Sequence, residues 1–298
     1  MKLATFKQGS EYHLGIHMEH GLLDVGAAAA AAGVHAPLSV REAAEGGEQA
    51  VDMLRRLQAE YGGNPQFVIG EEQAALAPVI PDPGKIICIG LNYLKHAEET
   101  HSPIPKYPIL FNKFNNALAA HGEDVALPRS SRKVDYEAEL AIIIGRTAKY
   151  VSEDDALDYV FGYCASNDLS ARDLQGRSVQ WLAGKSCDGF APVGPYVVTK
   201  DEVGDPNKLA ISCTVNGEVR QQSNTSDMIF DCKQIISYIS QCMTLSPGDI
   251  ILTGTPEGVV LGYPKEQQVY LQPGDVVTVE IEKLGALTNR IVAESSER

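Results

Sequence analysis

The sequence predicts an α+β fold that is mainly β, with a small N-terminal α/β domain of residues 1–80 and a larger β-rich domain of residues 83–298. Three observations lead to this prediction. Apolar runs typical of strands dominate the chain beyond residue 83. They do not alternate regularly with helices, which disfavours a doubly wound parallel sheet. Between the two parts, the segment APVIPDPGK (77–85) holds three prolines and a glycine, as a linker does.

The N-terminal part begins with two short strand patterns, KLATFK (2–7) and YHLGIHM (12–18), followed by a turn at 19–21. An alanine-rich helix and a second helix around 39–61 are predicted after them. The histidines of this part have a spacing that suits surface or turn positions. No chemical motif is therefore expected before residue 80.

The β-rich part contains a series of strand patterns joined by short turns. The strand patterns are KIICIG (85–90), LAIIIG (140–145), PYVVT (195–199), KLAISCTVNGEVR (208–220), DIILTG (249–254) and VVTVEIEKLG (276–285). Within the fourth pattern, Asn216 and Gly217 are a strong signal for a type I′ hairpin turn. Helices are predicted at 152–159 and 229–244. The order favours a mostly antiparallel or mixed sheet.

The composition excludes several classes of partner. The 298 residues include 25 basic and 39 acidic residues, a formal net charge of −14, which disfavours nucleic acids and anionic membrane surfaces. The alanine run at 27–32 is too short to span a bilayer. We expect a cytoplasmic protein, because the six cysteines form no CxxC pair and the N-terminus lacks the pattern of a signal peptide.

Two acidic residues stand side by side on one face of a predicted strand. In DYEAELAIIIG (135–145), Glu137 and Glu139 point the same way because side chains alternate along a strand. Two adjacent carboxylates repel each other unless a cation lies between them. The apolar run that follows indicates burial and favours a hard metal ion, whereas a solvated strand edge is the alternative.

A third carboxylate lies in NDLSARDLQ (167–175), where Asp168 precedes a short helical segment at a natural N-cap position. Arg172 follows four residues later on the same face, so this segment alone is equally typical of a capped helix with an ion pair. Together with the two glutamates, Asp168 supplies a third oxygen ligand. Three carboxylates without His or Cys ligands predict Mg²⁺ or Mn²⁺ rather than zinc, with about three coordination positions left for water or substrate.

Residues suited to proton transfer precede these carboxylates. In CIGLNYLKHAEET (88–100), His96 and Glu99 are three residues apart, so they are neighbours on a helical turn. Such a pair can activate water, with His as the base and Glu orienting the imidazole. By itself the pair is also compatible with a loop histidine beside a solvated glutamate.

Two later segments can stabilise negative charge. Lys185 lies in a glycine-containing loop, and Val179 stands where a nucleotide-binding GxxxxGK[ST] loop needs its first glycine. The lysine is either a stabiliser of an oxyanion or enolate, or an exposed side chain. In TGTPEGV (253–259), the small residues let backbone N–H groups approach an anion, and Thr255 adds a hydroxyl group, although a plain turn is the alternative.

The ordered set of these segments resembles the fumarylacetoacetate hydrolase family over roughly residues 83–298. The stretches that carry the resemblance are IGLNYLKHAEE, DYEAELAIIIG, FGYCASNDLSARDLQ, GKSCDGFAPVGP, VNGEVRQ, SDMIF and LSPGDIILTGTPEGV. The resemblance implies a mixed β-roll around a metal site, a small N-terminal domain and assembly as a homodimer.

The resemblance also implies roles for individual residues. The implied metal ligands are Glu137, Glu139 and Asp168. The implied catalytic residues are His96 and Glu99 on a mobile lid, and Lys185. The implied substrate contacts are Arg172, Gln175, Gly254 and Thr255. Two departures, Val260 in place of a glycine and Gly189 in place of a threonine, bear on the substrate more than on the metal.

The activity that follows is metal-dependent hydrolysis of a carbon–carbon bond in a 2,4-dioxo acid, an acylpyruvate. The substrate would be a small anionic 2-oxo acid. Decarboxylation of oxaloacetate is the alternative within the family, beside related isomerases, lyases and sugar-acid hydrolases. A non-catalytic metal- or ligand-binding protein is disfavoured, because binding alone needs neither the His96–Glu99 pair nor Lys185.

Overall fold

The computed structural model describes residues 1–295 and confirms the predicted α+β fold that is mainly β. The strands are β1 (Lys2–Gln8), β2 (Glu11–Met18), β3 (Gly21–Asp24), β4 (Val68–Ile69), β5 (Ala75–Leu76), β6 (Ile86–Gly90), β7 (Ile109–Lys113), β8 (Leu118–Ala119), β9 (Asp124–Leu127), β10 (Val134–Asp135), β11 (Ala138–Ile144), β12 (Val160–Asn167), β13 (Ser170–Ala171), β14 (Ala191–Thr199), β15 (Ala210–Val215), β16 (Glu218–Asn224), β17 (Ile250–Leu252), β18 (Val276–Ile281) and β19 (Gly285–Ala293). The helices are α1 (Val25–Ala32), α2 (Val40–Tyr61), α3 (Leu94–Glu99), α4 (Arg172–Gln175), α5 (Leu182–Lys185), α6 (Lys200–Val203) and α7 (Cys232–Cys242).

Two large open sheets organise these elements. The central sheet has the order β4-β3-β2-β1-β14-β12-β11-β17-β6-β7, with β5 beside β1 and β8 beside β14. It is mixed, because β17 and β6 are parallel whereas most other neighbours are antiparallel. The second sheet has the order β16-β15-β18-β19-β9. Its β15–β16 hairpin turns at Asn216 and Gly217, which both have positive φ, as the type I′ signal predicts.

Strand β11 is buried on both faces, so its apolar run divides between two cores. Leu140, Ile142 and Ile144 pack into the core that the central sheet shares with the second sheet. Ala141 and Ile143 point the opposite way, into the core beneath the N-terminal helices. Because successive side chains of β11 alternate between two buried faces, its run from Leu140 to Ile144 is apolar throughout. The same alternation determines which face the residues at the start of the strand point to.

The N-terminal part extends the central sheet. Lys2 of β1 lies opposite Val198 of β14, and the apolar faces of α1 and α2 cover the sheet. The predicted domain regions therefore share one sheet, and the boundary between residues 80 and 83 stays a prediction. Within residues 1–295, no helix has both the length and the apolar character needed to cross a membrane.

Two helix predictions need correction. Of the segment 152–159, only Ala156–Tyr159 is helical, as a 3₁₀ turn. The residues before it form a local turn instead, because the side chains of Ser152 and Asp155 bond to each other and the Asp155 N–H donates to Ser152 Oγ. The helix predicted over 229–244 begins at Cys232. Asp231 caps it there through a reciprocal pair of hydrogen bonds with Gln234.

Four chain segments meet at one edge of the central sheet. Because β11 runs antiparallel to both β12 and β17, and β6 runs parallel to β17, the start of β11 lies beside the carboxyl ends of the other three strands. Asn92, which follows β6, joins two of the segments that leave this edge. Its side chain donates to the carbonyl oxygens of Thr253 (2.7 Å) and Phe230 (3.0 Å) and accepts from the Phe230 N–H (2.8 Å).

Replacing Asn92 with Ala should lower the free energy of unfolding by about 2 kcal/mol, because backbone groups of Thr253 and Phe230 then lose their partner. Denaturant-induced unfolding measures the change. Asn115→Ala is the control, since the side chain of Asn115 makes a 3.2 Å hydrogen bond to Pro83 near the surface. Equal stability of the two variants would contradict the role assigned to Asn92.

Candidate active site

The three predicted metal carboxylates lie together at the edge where β11 begins. Glu137 directly precedes β11, Glu139 is its second residue, and Asp168 follows the last residue of β12. All three are buried, and one carboxylate oxygen from each lies within 4.8 Å of the others. The Asp168 N–H donates to the Glu137 carbonyl oxygen at 2.9 Å, which fixes the two segments against each other.

The predicted N-cap role of Asp168 is wrong. Helix α4 begins four residues later, with Ala171 at its N-cap, because the short strand β13 occupies the chain between Asp168 and the helix. Arg172 accordingly does not pair with Asp168. Its Nη2 lies 2.6 Å from Glu137 Oε1, and its Nε lies 2.9 Å from Asp135 Oδ2.

Two buried lysines neutralise part of this acidic group. Lys185 Nζ lies 2.6 Å from Glu137 Oε2 and 2.8 Å from Asp168 Oδ2. Burial opposes its charge, but Asp168 and Glu137 raise the pKa of Lys185 to about 12, so it is an ammonium ion. Lys113 Nζ lies 2.6 Å from Asp168 Oδ1 and donates to two backbone carbonyls. Lys185 is therefore buried among acids, and the alternative of an exposed lysine is wrong.

The two glutamates differ in their electrostatic surroundings. Burial raises the pKa of Glu137, but Lys185 and Arg172 outweigh it and bring that pKa below its usual range. Burial, Asp168 and Glu137 together raise the pKa of Glu139 well above its usual range, and its hydrogen bond comes from the Gly254 N–H at 2.7 Å. The surroundings of Glu139 thus disfavour its charged form, because no cationic side chain within residues 1–295 is paired with its carboxyl group.

This donor set fits a hard divalent cation. The ligand atoms on offer are carboxylate oxygens, which Mg²⁺ and Mn²⁺ prefer. A buried carboxylate without a counter-charge is costly, and a cation beside Glu139 would remove that cost. The alternative of a solvated strand edge is excluded by the burial of all three side chains.

The predicted proton-transfer pair is formed. His96 and Glu99 lie on α3, and His96 Nδ1 donates to Glu99 Oε1 at 2.8 Å. Glu99 Oε2 accepts from the Gly258 N–H at 2.9 Å, so its carboxylate is held at both oxygens. This bond leaves Nε2 as the nitrogen with an available lone pair, on a side chain that lines the cavity described below.

A cavity of about 350 Å³ opens beside these groups. Seven of the ten predicted site residues line it, namely His96, Glu137, Glu139, Arg172, Gln175, Lys185 and Thr255. The remaining three each contact one of the seven. Asp168 binds Lys185, Glu99 binds His96, and the Gly254 N–H binds Glu139. The predicted contact of Gly254 with substrate stays a prediction, because its N–H has this partner.

Two aromatic side chains form another wall of the cavity. Trp181, the single tryptophan of the chain, meets Phe111 edge-on with ring centroids 5.3 Å apart. Gly90 at the end of β6 makes room for this contact, since a Cβ atom there would lie 2.4 Å from the indole ring. The Lys185 ammonium lies 5.0 Å from the centroid of the Phe111 ring.

The two departures from the family pattern have local explanations. Val260 lies in a 3₁₀ turn (Val260–Gly262) without positive φ, so a glycine is not required there, and its side chain is buried. Gly189 has a φ of +74°, a conformation that glycine adopts more readily than threonine. Neither residue lines the cavity.

Sequence reasoning missed four residues that shape the site: Lys113, Asp135, Trp181 and Gln221. Gln221 accepts from the Ala138 N–H and donates to Thr255 Oγ1, both at 2.9 Å. Asp135 and Gln221 lie within stretches that carry the family resemblance, and that resemblance is the sequence feature that could have indicated them. Lys113 and Trp181 have no local signature, because their partners are distant in sequence.

Comparisons with known proteins relate this chain to one protein family. The family profile described as "Fumarylacetoacetate (FAA) hydrolase C-terminal" matches residues 85–292. "Oxaloacetate tautomerase fahd2, mitochondrial" from Xenopus laevis is 44% identical over 258 residues, covering 86% of this chain and 79% of the relative. Because that name states a mitochondrial location for the relative, the expected cytoplasmic location of this chain stays a prediction.

Two solved structures have the same fold over nearly the whole chain. Fumarylacetoacetate hydrolase from Exiguobacterium antarcticum has a TM-score of 0.83 at 35% identity, covering 99% of this chain and 100% of that one. Maleylpyruvate hydrolase from Sphingobium sp. SYK-6, in complex with manganese (II) ion and pyruvate, has a TM-score of 0.78 at 32% identity and the same coverage. The chain therefore belongs to the fumarylacetoacetate hydrolase family of enzymes.

Proposed function

We propose that this protein is a divalent-metal-dependent tautomerase that converts the enol form of oxaloacetate into its keto form. The observation that carries the proposal is the His96–Glu99 pair, held 2.8 Å apart on a cavity that also exposes Glu137 and Glu139. A histidine positioned in this way can move a proton between an enol oxygen and the adjacent carbon. The name of the Xenopus relative supports oxaloacetate as the substrate.

Glu137, Glu139 and Asp168 would hold Mg²⁺ or Mn²⁺. When bound, the ion would bind the carboxylate and 2-oxo oxygen of a 2-oxo acid and stabilise negative charge on that oxygen. The manganese ion and pyruvate in the Sphingobium maleylpyruvate hydrolase support both the metal and the ligand class. A small anionic 2-oxo acid also suits a cavity of about 350 Å³.

The proton transfer is assigned to His96. Its Nε2 accepts the proton of the enol hydroxyl group, which leaves an enolate with charge shared between the oxygen and C3. The imidazolium then delivers a proton to C3 and gives the ketone, so no water is consumed. Glu99 keeps Nδ1 protonated and stabilises the imidazolium while it exists.

Four further residues act on the anionic substrate. Lys185 supplies a fixed positive charge near the developing enolate. Arg172 and Gln175, whose side chains bond to each other at 3.0 Å, present donors to the substrate carboxylate. Thr255 offers its hydroxyl group on the cavity wall. These interactions orient C3 toward His96.

Hydrolysis of an acylpyruvate is the second candidate, favoured by the ability of the same His96–Glu99 pair to deprotonate water. The hydroxide would add to the distal carbonyl carbon, and the carbon–carbon bond would break with its electron pair leaving on the pyruvate enolate. That enolate would then take up a proton. Decarboxylation of oxaloacetate would form the same enolate with loss of CO₂ and would need no attacking water.

Assembly as a homodimer belongs to this proposal too, because the family resemblance implies it. Size-exclusion chromatography with light scattering measures the mass directly. A species of one chain at micromolar concentration would contradict a stable dimer, since the mass of one chain is 32.1 kDa.

One set of assays separates the candidate activities. We expect the ultraviolet absorbance of enol-oxaloacetate to decay faster with enzyme and Mn²⁺ or Mg²⁺ than without enzyme, and we expect EDTA to remove the acceleration. Acetylpyruvate consumption and CO₂ release are measured in parallel. Dominant acetylpyruvate hydrolysis would replace the tautomerase proposal with the second candidate, and no turnover with metal binding retained would indicate a binding protein.

Glu139→Gln should raise the dissociation constant for Mn²⁺ at least about tenfold, because one of three carboxylate ligands loses its charge. The metal-free variant should be as stable as the native protein or more stable, since the uncompensated acid is gone. Isothermal titration with Mn²⁺ and denaturant unfolding with EDTA measure the two effects. Glu98→Gln, an exposed acid of α3, is the control, and unchanged Mn²⁺ affinity in Glu139→Gln would contradict the assigned site.

His96→Ala should lower kcat for enol-oxaloacetate by about 100-fold or more while leaving Mn²⁺ binding unchanged, because the side chain transfers the proton without touching the ion. Glu99→Gln should lower kcat less, since an amide still accepts a hydrogen bond from Nδ1. Stopped-flow absorbance measures the rates. A rate in His96→Ala equal to that of the native enzyme would remove His96 from the mechanism.

A further inference from the structure

A fourth buried carboxylate, that of Asp135, lies beside the site without lining the cavity. Each of its oxygens accepts two hydrogen bonds. Oδ1 accepts from the N–H groups of Tyr136 and Val260, both at 2.9 Å, and Oδ2 accepts from the Leu261 N–H at 3.1 Å and Arg172 Nε at 2.9 Å. The four donors come from three separate parts of the chain, so Asp135 joins those parts.

On one side, Asp135 sets the orientation of the Arg172 guanidinium group. This group is planar, so fixing its Nε also fixes the directions of its two terminal nitrogens. Those nitrogens lie 2.6 Å from Glu137 Oε1 and 3.0 Å from Gln175 Oε1. The two residues assigned to the substrate carboxylate, Arg172 and Gln175, are therefore oriented through Asp135.

On the other side, Asp135 fixes the segment 258–262, which contacts Glu99. Besides the two bonds at Val260 and Leu261, the Tyr136 hydroxyl group donates to the Gly258 carbonyl oxygen at 3.0 Å. The Gly258 N–H in turn donates to Glu99 Oε2. Gly262 lies so close that a Cβ atom there would be 2.5 Å from Glu99 Cδ. The segment 258–262 thus encloses the carboxylate that orients His96.

We propose that Asp135 is a positioning residue. It keeps the proton-transfer pair, His96 and Glu99, at a fixed position relative to the substrate-binding pair, Arg172 and Gln175. It does not line the cavity and is not one of the three carboxylates that would hold the metal, so it acts through Arg172 on one side and through the segment 258–262 on the other. The kinetic effects rest on the proposed function, whereas the mechanical coupling of the two segments does not.

Asp135→Asn tests the proposal, because the amide keeps the shape of the carboxylate while one acceptor oxygen becomes a donor. For enol-oxaloacetate with Mn²⁺, kcat should fall about 10- to 100-fold and KM should rise, as expected when orienting bonds to site residues are lost. The effect on kcat should be smaller in a Glu99→Gln background, since part of it passes through Glu99. Fully additive effects on kcat would overturn the link to Glu99.

Hydrogen–deuterium exchange provides a readout without substrate. In Asp135→Asn, exchange should increase in peptides covering 258–263 and also in those covering 94–100, which Asp135 does not contact directly. If the native protein proves inactive, this coupled increase still supports the positioning role. An increase confined to 258–263 would overturn the coupling.

Asp173→Asn is the matched control. Asp173 lies on α4 next to Arg172 and accepts hydrogen bonds from Ser131 Oγ (2.6 Å) and the Arg132 N–H (2.9 Å), with no bond to Arg172 or to the segment 258–262. It should leave kcat, KM and both exchange patterns unchanged. Equal effects of the two substitutions would show that Asp135 stabilises the fold without a specific positioning role.

A second variant covers the case in which Asp135→Asn does not fold. Gly262→Ala leaves Asp135 in place and pushes the new methyl group against Glu99. It should lower kcat about tenfold with little change in KM, because Arg172 keeps its bond to Asp135. Native kcat in a folded Gly262→Ala variant would overturn the idea that this segment positions Glu99.

Discussion

An excess of buried carboxyl groups over cationic side chains at one end of the central sheet is the constraint on which the rest of the site depends. Four carboxyl groups meet three cationic side chains there, so ionisation of all four would leave one negative charge unmatched. The carboxylates belong to Asp135, Glu137, Glu139 and Asp168, and the cations are Lys113, Arg172 and Lys185. Unpaired buried charge is costly, so the arrangement favours binding of a cation. With all four carboxyl groups ionised, a divalent ion would give this group one net positive charge, which would favour the proposed anionic substrate in a strongly acidic protein.

The sequence predicts those parts of this site that follow from local periodicity. The strand period places Glu137 and Glu139 on one face, and the helical period joins His96 to Glu99. It does not predict that Lys113 reaches Asp168, 55 residues away, because nothing local marks a lysine at the end of β7 as buried. The predicted N-cap role of Asp168 is wrong for the same reason. Pairing of β12 with β11 before Asp168, and of β13 with β10 after it, decides the conformation there, and such pairing depends on residues far along the chain.

The two candidate reactions require almost the same site. Both form an enolate on a 2-oxo acid, and both use His96 Nε2 as the group that moves a proton. They differ in whether a water molecule lies between that nitrogen and the substrate. The distinction therefore depends on the distance from Nε2 to the substrate carbon, which the placement of α3 determines.

That placement cannot come from α3 itself. A helix of six residues has little stability alone, because too few backbone hydrogen bonds offset the cost of nucleation. Its position must be imposed by contacts at its two ends. Asn92 anchors the chain just before it, and the segment 258–262 encloses Glu99 at its last residue. Since Asp135 in turn bonds to that segment and to Arg172, the geometry of the proposed proton transfer depends on the same end of the central sheet as the proposed substrate contacts.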